Sequence, residues 1–229
     1  MAAVIAALYV EAGGVYAGRS DVDPWDVARD ARLYDGPHPV VAHPPCQRWG
    51  RWWWADGSDQ PGNDGGCFAA ALAAVERFGG VIEHPAHSHA FAFYRLPLPP
   101  PDGRWASNLY RPGMSAHVEQ GHYGHRARKA TWLYYVGDAP PELARGAAVS
   151  RAYLCPPGRK KGKPGRTNVE FMGAVEARST PPAFAELLLS MARNPATLPA
   201  LWAAHLVALG DVFAANGAAK KGTKWRSQR

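Results

Sequence analysis

The stretch CFAAALAAVERFGGVIEHP, residues 67–85, decides the fold of this chain. Its alanine-rich first part predicts a helix over Cys67–Phe78, which ends at a pair of glycines. The apolar residues that follow predict a short strand over Val81–Glu83, stopped by Pro85. A helix followed at once by a continuous apolar strand is typical of a parallel sheet that is covered by helices.

Similar signals lie on both sides of this unit. Apolar runs at Val4–Val10 and Val40–Ala42 predict two further buried strands, and the segment 23–34 predicts a helix with a proline in its first turn. Alternating apolar residues at 116–120 and 131–136 predict an antiparallel pair. We therefore expect an α/β fold with a Rossmann-like, mostly parallel sheet and an antiparallel edge.

The expected organisation is one main domain over residues 1–194, in which 86–114 and 155–168 are irregular excursions from the sheet. A proline pair starts a helix that runs to about Ala192. Residues 195–216 predict a C-terminal helix, and we expect the basic tail at 217–229 to be disordered.

Composition narrows the class of protein. The chain has 229 residues, of which 47% are hydrophobic, and this is enough apolar material for a sizeable core. No apolar run approaches the roughly 18 residues of a membrane helix, and the N-terminus has no charged region before its apolar start, so we expect neither a membrane span nor a signal peptide. Three cysteines are too few for a disulfide framework, which favours the cytoplasm. Nothing in the composition indicates an obligate protein partner.

The net charge of +7 is concentrated in two segments. Each has five cations and no acidic residue: Arg159, Lys160, Lys161, Lys163 and Arg166 in the first, and Lys220, Lys221, Lys224, Arg226 and Arg229 in the second. The rest of the chain is therefore mildly acidic. Such runs bind phosphate backbones by releasing counterions, or they are solvated segments that keep a protein soluble. Charge alone leaves both interpretations open.

Cys46 is the first candidate for chemistry. It follows a short apolar strand on a turn that Pro44 and Pro45 stiffen, at the edge of a sheet where α/β proteins bind their ligands. A thiolate is a strong nucleophile, and we expect Arg48 and Arg51 to lower the pKa of this thiol. The alternative is a buried structural cysteine.

Glu83 is the second candidate, because it places a carboxylate directly at the end of an apolar strand. We expect partial burial to raise its pKa, which suits a proton donor or a bidentate hydrogen-bonding group. A strand-end salt bridge is the alternative.

Taken in order, these sites resemble a known family. The ordered set is His43-Pro44-Pro45-Cys46-Gln47, then Val81-Ile82-Glu83-His84-Pro85, then Tyr123-Gly124 followed by Thr131-Trp132-Leu133. It resembles the DNA (cytosine-5)-methyltransferases, and in particular their small phage-type relatives. In that family a Pro-Pro-Cys-Gln loop supplies a nucleophile and a later glutamate grips the cytosine, so the resemblance implies these roles for Cys46 and Glu83.

The resemblance also implies substrate, cofactor and DNA contacts. It assigns substrate binding to Pro45, Gln47, Arg128, Lys129 and Thr131; S-adenosylmethionine binding to Tyr9, Gly13, Gly14, Asp23 and Trp25; and DNA binding to Arg48, Arg51 and the basic loop at 159–166. The chain departs from the family in a degenerate cofactor motif, a shortened first strand–helix unit and the lack of a large target-recognition domain.

The implied chemistry is addition of the Cys46 thiolate to C6 of a flipped or single-stranded cytosine, which activates C5 for attack on a methyl donor. Trp49, Trp52, Trp53 and Trp54 either fill the vacated base stack or pack in the core. Three alternatives stay open: a different C5 donor, a catalytically silent DNA-binding module, and a metal bound by the histidines near Glu83. We expect no metal, because Cys46 lacks the second cysteine of the zinc deaminases.

Overall fold

The computed structural model describes residues 4–57, 60–154 and 170–195. Six strands form one sheet: β1 (Ile5–Leu8), β2 (Val22–Trp25), β3 (Val40–Ala42), β4 (Gly80–Pro85), β5 (Met114–Glu119) and β6 (Ala130–Val136). Their order is β2-β1-β3-β4-β6-β5. The first four strands are parallel to one another, and β6 runs antiparallel between β4 and β5. The predicted mostly parallel sheet with an antiparallel edge is confirmed.

Helices cover both faces of this sheet. The helices of the described residues are α1 (Cys67–Phe78), α2 (His89–Phe93), α3 (Ala174–Arg178) and α4 (Pro182–Ala192). Alternate residues of β4 point to opposite faces: Val81 shares a buried cluster with Leu188 of α4, whereas the His84 ring lies against Phe68 of α1. Since both faces are covered, the inner parallel strands β1 and β3 are buried throughout and are apolar without alternation.

The helix predicted over 23–34 is wrong. Residues Val22–Trp25 instead form β2, a parallel strand at the edge of the sheet, followed only by a 3₁₀ turn at Ala31–Leu33. An edge strand tolerates Pro24 because it has an open side that needs no backbone donor. No helix lies between β1 and β2, where residues 9–21 run through turns.

The segment 86–114 was expected to be irregular, but part of it is helical. It contains α2, whose first turn is capped by the Ser88 hydroxyl accepting from the backbone N–H of Ala90. Further along, the buried Arg111 guanidinium donates to the Glu76 carboxylate of α1. This ion pair ties the excursion to the helical layer.

The basic loop at 159–166, the tail and residues 196–216 of the predicted C-terminal helix lie outside the described residues. Within the described ranges, no helix is long and apolar enough to cross a membrane.

Gly80 of β4 lies against the backbone of Val40 in β3 with no room for a side chain, and it yields a stability prediction. Its φ is +121°, and a Cβ there would lie 1.9 Å from the carbonyl oxygen of Val40. Gly80→Ala is expected to lower the free energy of unfolding by about 3 kcal/mol or more, because strained backbone and a clash with backbone add together. The matched control is Gly173→Ala, where a Cβ meets nothing within 4 Å. Urea unfolding tests this, and similar midpoints for the two variants would contradict it.

Candidate active site

A cavity of about 1190 Å³ opens where the carboxyl ends of β1, β3 and β4 meet the start of β6. Residues 174–180, around α3, line its other side. Most of the predicted site residues that the structure describes line this cavity: Tyr9, Gly14, Pro45, Cys46, Gln47, Arg51, Glu83, Lys129 and Thr131. The structure therefore brings Cys46 and Glu83, which are 37 residues apart in the chain, into one site.

The loop that carries Cys46 is held by backbone and side-chain contacts. The backbone N–H groups of Trp49 and Gly50 donate to the carbonyl of Cys46, at 3.0 and 2.8 Å. The indole of Trp49 is 2% exposed, packs against Phe68 and donates to Asp64. Of the two roles considered for Trp49, packing in the core and filling a base stack, its burial supports packing, and it anchors the turn.

The other tryptophans of this loop differ from Trp49. Trp52 is 37% exposed and lines the cavity, and Trp54 is 56% exposed. Together with Arg51 they present aromatic and cationic surface on the loop that borders the cavity.

The pKa of Cys46 is raised, chiefly by burial and then by the negative charge of Glu83. The predicted lowering by Arg48 and Arg51 is wrong, because the cations that oppose this rise are Lys129 and Arg178. Cys46 therefore rests as a thiol, and its ionisation depends on groups across the cavity.

Both oxygens of the Glu83 carboxylate are held by neighbouring side chains. Oε2 lies 3.1 Å from Nδ1 of His43, and Oε1 accepts from Nε2 of Gln120 at 2.9 Å. Burial disfavours the charge, but the hydrogen bond and charge of His43, with Lys129, outweigh it and hold the pKa of Glu83 at about 2. The expectation of a raised pKa is wrong: Glu83 is a carboxylate at rest.

Three residues of this network were assigned no role from the sequence. His43 also contacts the Tyr16 hydroxyl, with Nε2 and Oη 2.9 Å apart. The fully buried Gln120 donates to Thr131 as well as to Glu83. The position of His43, directly before the turn that carries Cys46, could have identified it as a site residue. Tyr16 lies in a turn-rich segment and Gln120 follows a strand, and neither position stands out in the sequence.

Lys129 reaches across the cavity. Its φ is +42°, and its ammonium donates to the carbonyls of Arg178 and Ser179 at the end of α3, at 3.1 and 2.8 Å. Burial lowers the pKa of Lys129, while the charges of Glu83 and Cys46 oppose that shift. Lys129 thus places a cation near both candidate reactive groups.

Some predicted site residues lie elsewhere. Arg128 does not line this cavity: its guanidinium forms a double contact with Glu119, beside a separate cavity of about 220 Å³. Arg128 and Lys129 precede β6 in irregular backbone, where Lys129 has a φ of +42°, and their side chains bind different partners. Arg48 lies in the Cys46 loop without lining the cavity, and its carbonyl accepts from Gly62. Arg159, Lys160, Lys161, Lys163 and Arg166 lie outside the described residues.

The residues expected to hold S-adenosylmethionine do not fit that task. Gly13, Asp23 and Trp25 do not line the cavity, although Tyr9 and Gly14 do. The Asp23 carboxylate, expected to accept from a ribose, already binds Arg29 and the indole N–H of Trp25. The Arg29 guanidinium also stacks on the Trp25 ring, 3.8 Å from its centre, and so covers one of its faces.

Within the described residues, no three histidine, cysteine or acidic side chains are grouped as metal ligands. His84, His87 and His89 instead contact different aromatic rings, those of Phe68, Trp132 and Trp53 in turn.

His84, next to Glu83, yields a prediction of acid lability. It is fully buried, and burial lowers its pKa from 6.5 to about 4 despite the charge of Glu83. The neutral ring is therefore favoured in the folded protein, so this contribution to stability is complete above pH 6.5 and is lost as the pH falls to about 4.

The loss from His84 should amount to about 3 kcal/mol of unfolding free energy across that window. His84→Asn should remove this part of the slope, whereas His122→Asn, at an exposed histidine, should keep it. Urea unfolding at a series of pH values measures both. Parallel curves for the wild type and His84→Asn would refute the prediction.

Neither the scan against protein-family models nor the search of curated proteins gives a match to this chain. Its function is therefore inferred from the geometry of the cavity and from the resemblance of its motifs.

Proposed function

We propose that this chain modifies cytosine in DNA at C5, through a covalent adduct between Cys46 and C6 of the base. The observation that carries the proposal is one cavity in which a thiol and a carboxylate, delivered by neighbouring parallel strands, share the influence of a nearby lysine cation. A nucleophile and a group that binds the polar edge of the base are what this chemistry requires.

The chemistry follows from the electronic structure of cytosine. The Cys46 thiol loses its proton as its sulfur forms a bond to C6, the C5=C6 electron pair shifts to C4=C5, and the C4=N3 pair moves onto N3, which takes up one proton in return. The product is an enamine whose C5 can attack an electrophile or take up a proton from water. Glu83 binds N3, and its oxygens are held in advance by His43 and Gln120, so little reorganisation is needed when the base enters.

Two other features of the cavity support this role. Lys129 supplies positive charge that favours the thiolate of Cys46 over the thiol. The exposed Trp52 and Trp54 offer flat apolar surface beside Arg51, as proteins that bind unstacked bases do. A base inside a duplex is out of reach, so the substrate is a flipped or single-stranded cytosine.

A methyl group is the substituent that the resemblance implies. Because Asp23 and Trp25 are engaged with Arg29, the proposed chemistry includes no step through S-adenosylmethionine. The experiment below identifies the molecule that donates a group to C5.

The test is mass spectrometry of nucleosides from single- and double-stranded DNA, incubated with the full chain with and without S-adenosylmethionine. A mass gain of one methyl on cytosine that needs the cofactor supports methyl transfer, and another gain on cytosine supports a different donor. DNA that is bound but neither modified nor exchanged at C5 would overturn the proposal in favour of a silent DNA-binding module.

A further inference from the structure

His43 has both ring nitrogens engaged, one with Glu83 and the other with Tyr16. A carboxylate only accepts hydrogen bonds, so Nδ1 carries a proton towards Glu83. When the ring is neutral, Nε2 accepts from the Tyr16 hydroxyl. When the ring is charged, Nε2 donates to the same oxygen. His43 can therefore gain or lose a proton without moving, because a tyrosine hydroxyl both donates and accepts.

Tyr16 is suited to act as donor or acceptor for Nε2 of His43 because its hydroxyl stays protonated. It is 3% exposed, and its pKa is raised by burial and by the charge of Glu83. It therefore remains a hydroxyl under conditions in which a histidine titrates.

The other oxygen of Glu83 has a partner that cannot release a proton. The Gln120 amide uses both N–H groups, one for Glu83 at 2.9 Å and one for Thr131 at 3.0 Å. Lys129 is near, but its ammonium is bound to two backbone carbonyls. Among the hydrogen-bond partners of Glu83 that the structure describes, His43 is the one whose ring can give up an N–H proton and be left as a neutral group.

We propose that His43 supplies the proton that Glu83 passes to N3 of cytosine while Cys46 adds to C6. This inference depends on the proposed function and goes beyond it, because it explains how a carboxylate that is ionised at rest can act as an acid. His43 acts through Glu83 and is therefore a positioning and proton-supplying residue that does not itself touch the base.

The proton transfer and the addition to C6 balance. The N–H bond at Nδ1 breaks, the proton moves to the Glu83 carboxylate and then to N3, and the C4=N3 electron pair receives it. Thiolate, imidazolium and cytosine become a neutral thioether adduct and a neutral imidazole. The proton that the Cys46 thiol loses on ionising goes to solvent, and a proton from solvent restores the imidazolium of His43 afterwards, so the net change moves one proton from sulfur to N3 and consumes no other acid. Elimination reverses each transfer.

Several charged and titratable groups lie around the pair formed by His43 and Glu83, here called the dyad. Those that contact or act on it are Tyr16 from the loop after β1, Cys46 after β3, His84 on β4, Lys129 at the start of β6 and Arg178 of α3, with Arg19 and Glu186 acting on Tyr16. The pH dependence of the dyad is therefore tested by comparing variants and not by a single midpoint.

The experiment measures release of tritium from DNA that contains [5-³H]cytosine, without any donor, from about pH 5 to about pH 9. Adduct formation lets C5 take up a proton from water and lose tritium on elimination. His43→Asn keeps an N–H group at the Nδ1 position but cannot carry a transferable proton. We expect release to fall about 100-fold with loss of the alkaline limb of its pH profile, while DNA affinity and unfolding midpoint change little.

A second variant, His43→Ala, should recover part of its rate with added imidazole, which a purely structural role would not produce. His122→Asn is the control, because this exposed histidine does not line the cavity, and it should keep the wild-type rate. His43→Asn with the wild-type rate and pH profile would overturn this inference and leave the proposed function standing. Wild-type protein that releases no tritium would overturn both.

Discussion

Cys46→Ser is expected to lower tritium release from [5-³H]cytosine DNA about 1000-fold or more, while DNA binding stays within a few-fold of the wild type. The change replaces sulfur with oxygen at the atom that must form the bond to C6, and a serine hydroxyl is far less acidic and less nucleophilic than a thiol. The fold should be unaffected, because Cys46 anchors its turn through its backbone carbonyl.

The matched control for this change is Cys67→Ser. Cys67 is the other described cysteine, lies at the first residue of α1 and does not line the large cavity. This variant should release tritium at nearly the wild-type rate. If Cys46→Ser exchanged as fast as Cys67→Ser, Cys46 would not be the nucleophile.

Glu83→Gln is expected to have the second largest effect, a loss of roughly 100- to 1000-fold in the same assay. A glutamine can still accept a hydrogen bond from His43, but it cannot carry a proton to N3. It also removes the negative charge that raises the pKa of Cys46, which by itself favours the thiolate, so the expected loss comes from the missing acid at N3 and not from the nucleophile.

Glu119→Gln is the matched control for this carboxylate. Glu119 is also buried, but it binds Arg128 and the backbone N–H of Ala148 beside the smaller cavity. Its substitution should leave tritium release within about 3-fold of the wild type, because Glu119 does not line the large cavity. Equal losses in the two variants would show that the assay reports stability and not chemistry at Glu83.

The arrangement of strands around β4 was predictable because its signals are local. An alanine-rich helix, a glycine pair and an apolar strand each depend on neighbouring residues, and α1 and β4 lie where these residues indicate. Residues 22–25 mislead because their local pattern, with Pro24 in a first turn, indicates a helix, whereas pairing with β1 decides their conformation. That pairing is a contact between distant parts of the chain, which local propensity does not contain.

The sequence predicted which side chains carry the candidate reactive groups, but not the direction in which their pKa values shift. Cys46 and Glu83 stood out because polar groups end apolar strands. Whether burial or partners set the pKa of Glu83 depends on His43 and Gln120, which reach it from β3 and from the end of β5. Likewise, Asp23 and Trp25 are the residue types expected for binding a ribose and an adenine. In the folded protein, however, the Arg29 guanidinium binds the Asp23 carboxylate and stacks on the Trp25 ring, which residue types alone do not reveal.

The central claim is that Cys46 forms a bond to C6 of cytosine, and one measurement tests it most directly. The full chain is incubated with a single-stranded oligonucleotide in which 2-pyrimidinone replaces cytosine, since this ring lacks the 4-amino group and is more electrophilic at C6. Intact mass and peptide mapping then locate the bond. We predict a one-to-one adduct on the peptide that contains Cys46, absent in Cys46→Ser. An adduct on another residue, or none while the oligonucleotide is bound, would contradict the claim.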